Sequence, residues 1–250
     1  MTKALSRHPQ ERLEDATEFR SGSFNLRAGF RTREPEVAAG AIVEVEFFVE
    51  QSGTRPFYLA VGGSRSKLRP AFFELSATLE GAEVELDDPT AEIPEFGGPA
   101  GTIAIEPGAD HRQTLVVNEF VRLEKLRVAL AAGETSGLHI HCQRPLPLAK
   151  SPEQAFETGA RSPLVKSHLT VMARRDDAAL ELLINHLVDQ VQVDQSAGAT
   201  AQRERAIVKL SALRSPLAVP YLERLKGHSD PAVAMYVERA LALLKQNQDA

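Results

Sequence analysis

Apolar and polar residues alternate along most of the chain before the spacing changes near its end. Phe24, Leu26, Ala28 and Phe30 alternate with Asn25, Arg27, Gly29 and Arg31. Val43, Val45, Phe47 and Val49 alternate with Glu44, Glu46 and Glu50, interrupted only by Phe48. A period of two predicts strands with one buried face, and Gln51-Ser52-Gly53 supplies the turn that ends the second. Further strands are expected over 57–61, 72–79, 83–86, 101–105, 114–121, 126–130, 138–143 and 165–172, punctuated by Gly62-Gly63, Gly97-Gly98-Pro99, Pro107-Gly108 and Gly133. Many short strands with Gly/Pro turns and no intervening helical period predict an antiparallel β-sandwich. The polar stretch 150–163 is expected to be a loop on it.

After residue 173 the period becomes that of a helix. Leu180, Leu183, Ile184, Leu187, Val188 and Val191 form one apolar face, with Asp176 or Asp177 placed to cap its start. Residues 195–199 break the pattern, and Ala206, Ile207, Leu210 and Leu213 resume it. Ser215-Pro216 and Asp230-Pro231 each place a capping side chain before a proline suited to a first helical turn. The fold class expected is therefore α+β. Its parts are a flexible N-terminal segment 1–21, a β-sandwich 22–173 and a small helical domain 174–250.

The run Arg205-Ala206, Leu210, Leu213, Pro216, Ala218-Val219-Pro220, Leu222, Leu225, Asp230-Pro231, Val233, Ala240-Leu241 and Leu244 resembles one HEAT-type repeat and the start of a second. The resemblance implies paired antiparallel helices that bind other proteins. About three repeats make a free-standing solenoid, so the tail is expected to lean on the helix beginning near Asp177 and on the sandwich. Gly40 before the strand 42–49, then Gly53-Thr54-Arg55-Pro56 and Pro107-Gly108, resemble the turn signals of bacterial Ig-like domains of uncharacterised proteins. That likeness implies a fold and no activity. With no tryptophan and a single cysteine, the antibody-type core is excluded.

Charge narrows the partners. The net charge of −5 offers no basic footprint for nucleic acid, and from Ala173 onward 10 basic residues balance 10 acidic ones, so the whole excess lies on the strand-rich part. Residues 1–20 hold no apolar run of the kind a signal peptide or membrane span requires. As written the chain is expected to be cytoplasmic, or periplasmic or secreted if a leader has been removed.

The strongest candidate for chemistry is His139-Ile140-His141. In a strand both imidazoles point to one face and could chelate a metal, with His168 or an acidic side chain as third ligand. The same alternation aims Leu138, Ile140 and Cys142 inward, so Cys142 is expected to be an inert core thiol. Glu83, Glu85, Asp87, Asp88, Glu92 and Glu95 form an acidic stretch without the spacing of a calcium loop, expected to be a solvated hairpin. No phosphate-binding glycine loop, Gly-x-Ser-x-Gly elbow or His-Glu-x-x-His helix occurs. The function expected is a non-catalytic protein-binding or adaptor module without a cofactor, contacting its partner through Leu217, Tyr221, Arg224, Met235 and Arg239. The alternatives are a ligand-binding sandwich, holding a carbohydrate or a metal and braced by the helices, and a self-assembling structural subunit.

Overall fold

The computed structural model describes residues 16–21, 23–63, 67, 69–82, 84–93, 100–156, 162–192, 199–228 and 230–246. It is a sheet-rich α+β fold with open, largely antiparallel sheets. The first sheet has the order β1 (Thr17–Ser21), β2 (Phe24–Thr32), β4 (Glu44–Gln51), β8 (Asp110–Val116). The second has the order β3 (Glu36–Ala38), β10 (Leu164–Arg174), β9 (Thr135–Pro145), β6 (Glu74–Leu79), with β3 parallel to β10. A two-stranded ribbon pairs β5 (Phe57–Gly62) with β7 (Ala100–Ile105).

Alternation decides which face each strand buries. Phe24, Leu26, Ala28 and Phe30 of β2 and Val45, Phe47 and Val49 of β4 join Leu138, Ile140, Cys142, Val165 and Val171 of the second sheet in one apolar core. Phe30, Phe47 and Phe73 meet there with ring centroids 5.2–6.2 Å apart. Phe48, which interrupts the alternation, lies opposite Gly29 on the outer face. A Cβ on Gly29 would sit 3.1 Å from the Phe48 ring, so glycine makes room for it.

The structure overturns or refines several sequence expectations. Thr17–Ser21, assigned to a flexible segment, is an edge strand paired with β2, while residues 1–15 lie outside the described part. Residues 126–130 form a short helix, α1 (Leu126–Ala129), instead of a strand. The buried residues Leu123, Leu126 and Leu130 recur at helical spacing. No strand forms over the described residues 84–86, where Val84 and Leu86 pack on the core without a ladder partner. The strand expected over 114–121 ends at Val116, and Val117–Glu119 turns as a 3-10 helix. The expected loop 150–163 contains a 3-10 turn at Glu153–Phe156, with residues 157–161 outside the described part.

Beyond β10 come α2 (Asp177–Gln192), α3 (Ala199–Leu213), α4 (Val219–Leu225) and α5 (Pro231–Gln246). Their starts follow the expected chemistry where a cap is seen. Asp176 Oδ1 accepts from Ala179 N at 3.0 Å, and Ser215 Oγ accepts from Leu217 N at 3.3 Å before the 3-10 turn Pro216–Ala218. The helices bury Leu180, Ile184, Leu187, Ile207, Leu210, Leu222, Val237 and Leu241 in a second core. Ala41 and Ile42, from the corner between β3 and β4, belong to that same cluster. The helical tail therefore leans on both α2 and the β-rich part.

Asn118 fixes this corner. Its side chain is 1% exposed; Oδ1 accepts from Val43 N at 3.0 Å and Nδ2 donates to the Ala41 carbonyl at 2.9 Å. Ion pairs flank the junction: Lys209 with Glu44 at 2.8 Å, and Asp177 with Arg127 at 2.9 Å and Arg175 at 3.2 Å. Replacing Asn118 by alanine strands a backbone donor and a backbone acceptor in a buried place, at an expected cost of about 2–4 kcal/mol. Urea unfolding should show that loss, and hydrogen exchange should accelerate in α2 and α3 more than in β9. A cost below about 0.5 kcal/mol would show that the corner holds its shape without the amide.

Candidate functional site

On the helical side, Ser215 and Pro216 start the turn that carries Leu217, and α4 continues it through Tyr221 and Arg224. Leu217 is 36% exposed and Met235, on α5, is 58% exposed. The Arg224 guanidinium lies 5.4 Å from the Tyr221 ring centroid, while Tyr221 is half-buried against the second core. Arg239 lies in α5, and its side chain is outside the described part. Leu182 of α2, 71% exposed, joins the exposed apolar residues; it lies between the buried positions Leu180 and Ile184.

On the sheet side, β6, β9 and β10 present a polar outer face. Register places Ser76, His141 and His168 in one row and Thr78, His139 and Thr170 in the next. His141 Nδ1 lies 2.5 Å from His168 Nδ1, the rings nearly perpendicular at 84° with centroids 4.6 Å apart. His139 Nδ1 instead meets Thr170 Oγ1 at 3.1 Å. The structure thus pairs His141 with His168 across strands, one row away from the His139 contact. Among the described residues no group of three or more His, Cys, Asp and Glu side chains is gathered to hold a metal ion.

Cys142 faces the core as alternation requires, and burial pushes its thiol up to about 12, far from the range of a nucleophile. In the acidic stretch Asp87 meets Lys125 at 2.6 Å and Arg122 at 3.3 Å. Asp88 meets Arg69 at 2.9 Å and accepts from Thr90 N at 2.8 Å. These carboxylates tie loops together where the sequence suggested a solvated hairpin. Glu83 and Glu95 lie outside the described part.

Charges invisible to a motif search are the more unusual feature. Glu46, 3% exposed, accepts from Arg31 at 2.5 Å, Arg33 at 2.6 Å and Arg112 at 3.3 Å. Burial opposes its ionisation, but the hydrogen bonds and charges of Arg33 and Arg31 outweigh it and hold the carboxyl below its ordinary value. Near the junction Glu119 shows the reverse. Burial lifts it from 4.5 to about 8, against the weaker pull of Arg69 and Arg214. Arg214 is 6% exposed, has a left-handed backbone with φ 44, and its Nε and Nη1 have no hydrogen-bond partner among the described residues. Arg144 and His111 are inward-facing polar residues that motif reading missed. Register would have shown Arg144 continuing the inward series Leu138, Ile140, Cys142.

No protein-family model matches the chain, and no curated protein matches it. Among solved structures it is similar to Spo0M, a sporulation control protein from Bacillus subtilis, at 9% identity and TM-score 0.30, over 66% of this chain and 55% of that one. It is also similar to a chain of the complex between zinc 2-glycoprotein and prolactin inducible protein from human seminal plasma, at 9% identity and TM-score 0.25, over 59% of this chain and 94% of that one. A third is a β-glucosidase from Listeria innocua, at 10% identity and TM-score 0.24, over 58% of this chain and 16% of that one. The chain thus spans about half of the first and a small part of the third. At these scores the likenesses carry no argument about function.

Glu119 generates a pH prediction. Between pH 4.5 and about 8 the folded chain retains a proton at Glu119 that the unfolded chain has released, so this group makes stability fall as pH rises through that window. Glu119→Gln should flatten the decline and raise stability at pH 8 by roughly 1–3 kcal/mol, read from urea midpoints at pH 5, 6.5 and 8. An unchanged slope would mean that the carboxyl ionises freely in the folded chain.

Proposed function

We propose that this protein is a non-catalytic protein-binding or adaptor module, in which HEAT-like helices are braced on an Ig-like β-sandwich. The observation that carries the reading is the run Leu217, Tyr221, Arg224, in which an exposed leucine is followed along the chain by an arginine held over a tyrosine ring. Tyrosine and arginine are the residue types that dominate protein interfaces, and a guanidinium already held over a ring loses less freedom when an acidic group docks on it. The junction supports the same reading, because a helical surface fixed through Ala41 and Ile42 is a rigid platform for docking. No helix of the described residues is long and apolar enough to cross a membrane. The full chain and a Tyr221→Ala, Arg224→Ala variant, used as baits in the same lysate, test the assignment. The partner of the wild-type chain should be lost from the variant, a weakening of about 30-fold or more. Retention at equal affinity would put the binding face elsewhere.

A second reading, a ligand-binding β part, is favoured by the His141–His168 contact. Two imidazoles ligating one zinc ion at about 2.0–2.1 Å each need their nitrogens farther apart than this contact allows, so both rings would have to turn slightly outward. Calorimetric titration with zinc should then give one site that is lost in His168→Ala and kept in His139→Ala. Equal heats in all three proteins would leave the pair as a plain surface contact.

A further inference from the structure

Arg144 occupies a place where the alternation of β9 calls for an apolar side chain. It is 1% exposed, and the inward positions before it are Leu138, Ile140 and Cys142. Its Cζ lies 4.3 Å from the Phe73 ring centroid, 4.8 Å from that of Phe47 and 6.0 Å from that of Phe72. Ring faces can stabilise the flat faces of a guanidinium, but the hydrogens at its edges require acceptors in the same plane. One edge is served, since Nη2 donates to the Ala60 carbonyl. Nε and Nη1 are buried and have no hydrogen-bond partner among the described residues.

Among the described residues no balancing charge is supplied. Burial lowers the Arg144 guanidinium to about 9, with no carboxylate acting on it, so it remains protonated near neutral pH. The titratable group that feels it is a histidine. His111 of β8 lies opposite Val49 on the inward face of the first sheet. Burial and the Arg144 charge hold its imidazole below the ordinary value, and its buried Nε2 also has no partner. Phe72, one of the three rings, holds a left-handed backbone with φ 70, a conformation costly for a bulky residue. A buried, unpaired cation, an unpartnered imidazole nitrogen and a strained aromatic wall therefore occur together in the core.

We propose that the Arg144 guanidinium is the receptor for a small monovalent carboxylate, held among the Phe47, Phe72 and Phe73 rings near His111. One carboxylate neutralises one guanidinium and accepts from its unused edge in a charge-assisted hydrogen bond. A doubly charged phosphate would leave a net negative charge among phenylalanine rings, which low-dielectric surroundings penalise. The site is independent of the helical docking face, and its failure leaves that reading intact.

The test uses the full-length protein at constant ionic strength, with chloride replaced stepwise by acetate, propionate, benzoate or phosphate. Thermal unfolding and the arginine Nε–H resonances are followed together. At least one of the three carboxylates should move the Arg144 resonance saturably and raise the melting temperature. A ligand at about ten times its dissociation constant raises the folding constant about tenfold. Arg144→Met keeps the bulk of the side chain without its donors and should abolish the response; if it fails to fold, the wild-type titration decides alone. A flat response of the wild-type protein to all three carboxylates would overturn the proposal and leave Arg144 a structural cation on ring faces. Saturation by phosphate alone would overturn the assignment of ligand class.

Discussion

The two hydrogen bonds of Asn118 hold the corner on which both cores depend. Val43 enters the core between the sheets, whereas Ala41 and Ile42, immediately before it, enter the core of the helices. A chain that turns from one core into the other within so few residues cannot satisfy its backbone by a sheet ladder alone. The Asn118 amide supplies the missing donor and acceptor. The helical face and the sheets thereby share one reference frame.

Charge is distributed around that frame in three distinct ways. On the outer face of the first sheet, Glu46 is compensated by arginines from both β2 and β8 and by Arg33 just beyond β2. At the junction, Glu119 is undercompensated and held protonated by burial. Inside the core, Arg144 has ring faces but no counter-charge among the described residues. The first arrangement stabilises by satisfied pairing, the second keeps a carboxyl neutral, and the third stores an unbalanced charge in a place that burial protects from water. Such groups are where a ligand or a proton exerts the largest leverage.

Much of the fold was legible because periodicity is local. β2, β4, β9 and β10 follow directly from alternation, and α2 and α5 from three-and-four spacing with recognisable starts at Asp176 and Asp230-Pro231. Periodicity failed where few residues carry it. Leu126 and Leu130 fit a strand or a helix equally well until Leu123 is seen to be buried with them. Val84 and Leu86 are apolar because they pack on the core, which needs no ladder. The candidate sites were less legible, because they depend on register between distant strands. His141 meets His168 only through the pairing of β9 with β10, and the helical contacts rest on exposure that spacing can only suggest. Arg144 is legible as an inward residue from alternation, but the rings it meets come from distant strands and loops.

If the corner at Asn118 couples the two cores, helices and sheets should unfold as one unit. Differential scanning calorimetry of the full chain measures this directly, because a single transition whose calorimetric and van't Hoff enthalpies agree is the signature of one cooperative body. Coupling through the corner requires that agreement. Two resolved transitions, or a calorimetric enthalpy near twice the van't Hoff value, would contradict it and make the helical part a separate body, tethered to the sheets without being built on them.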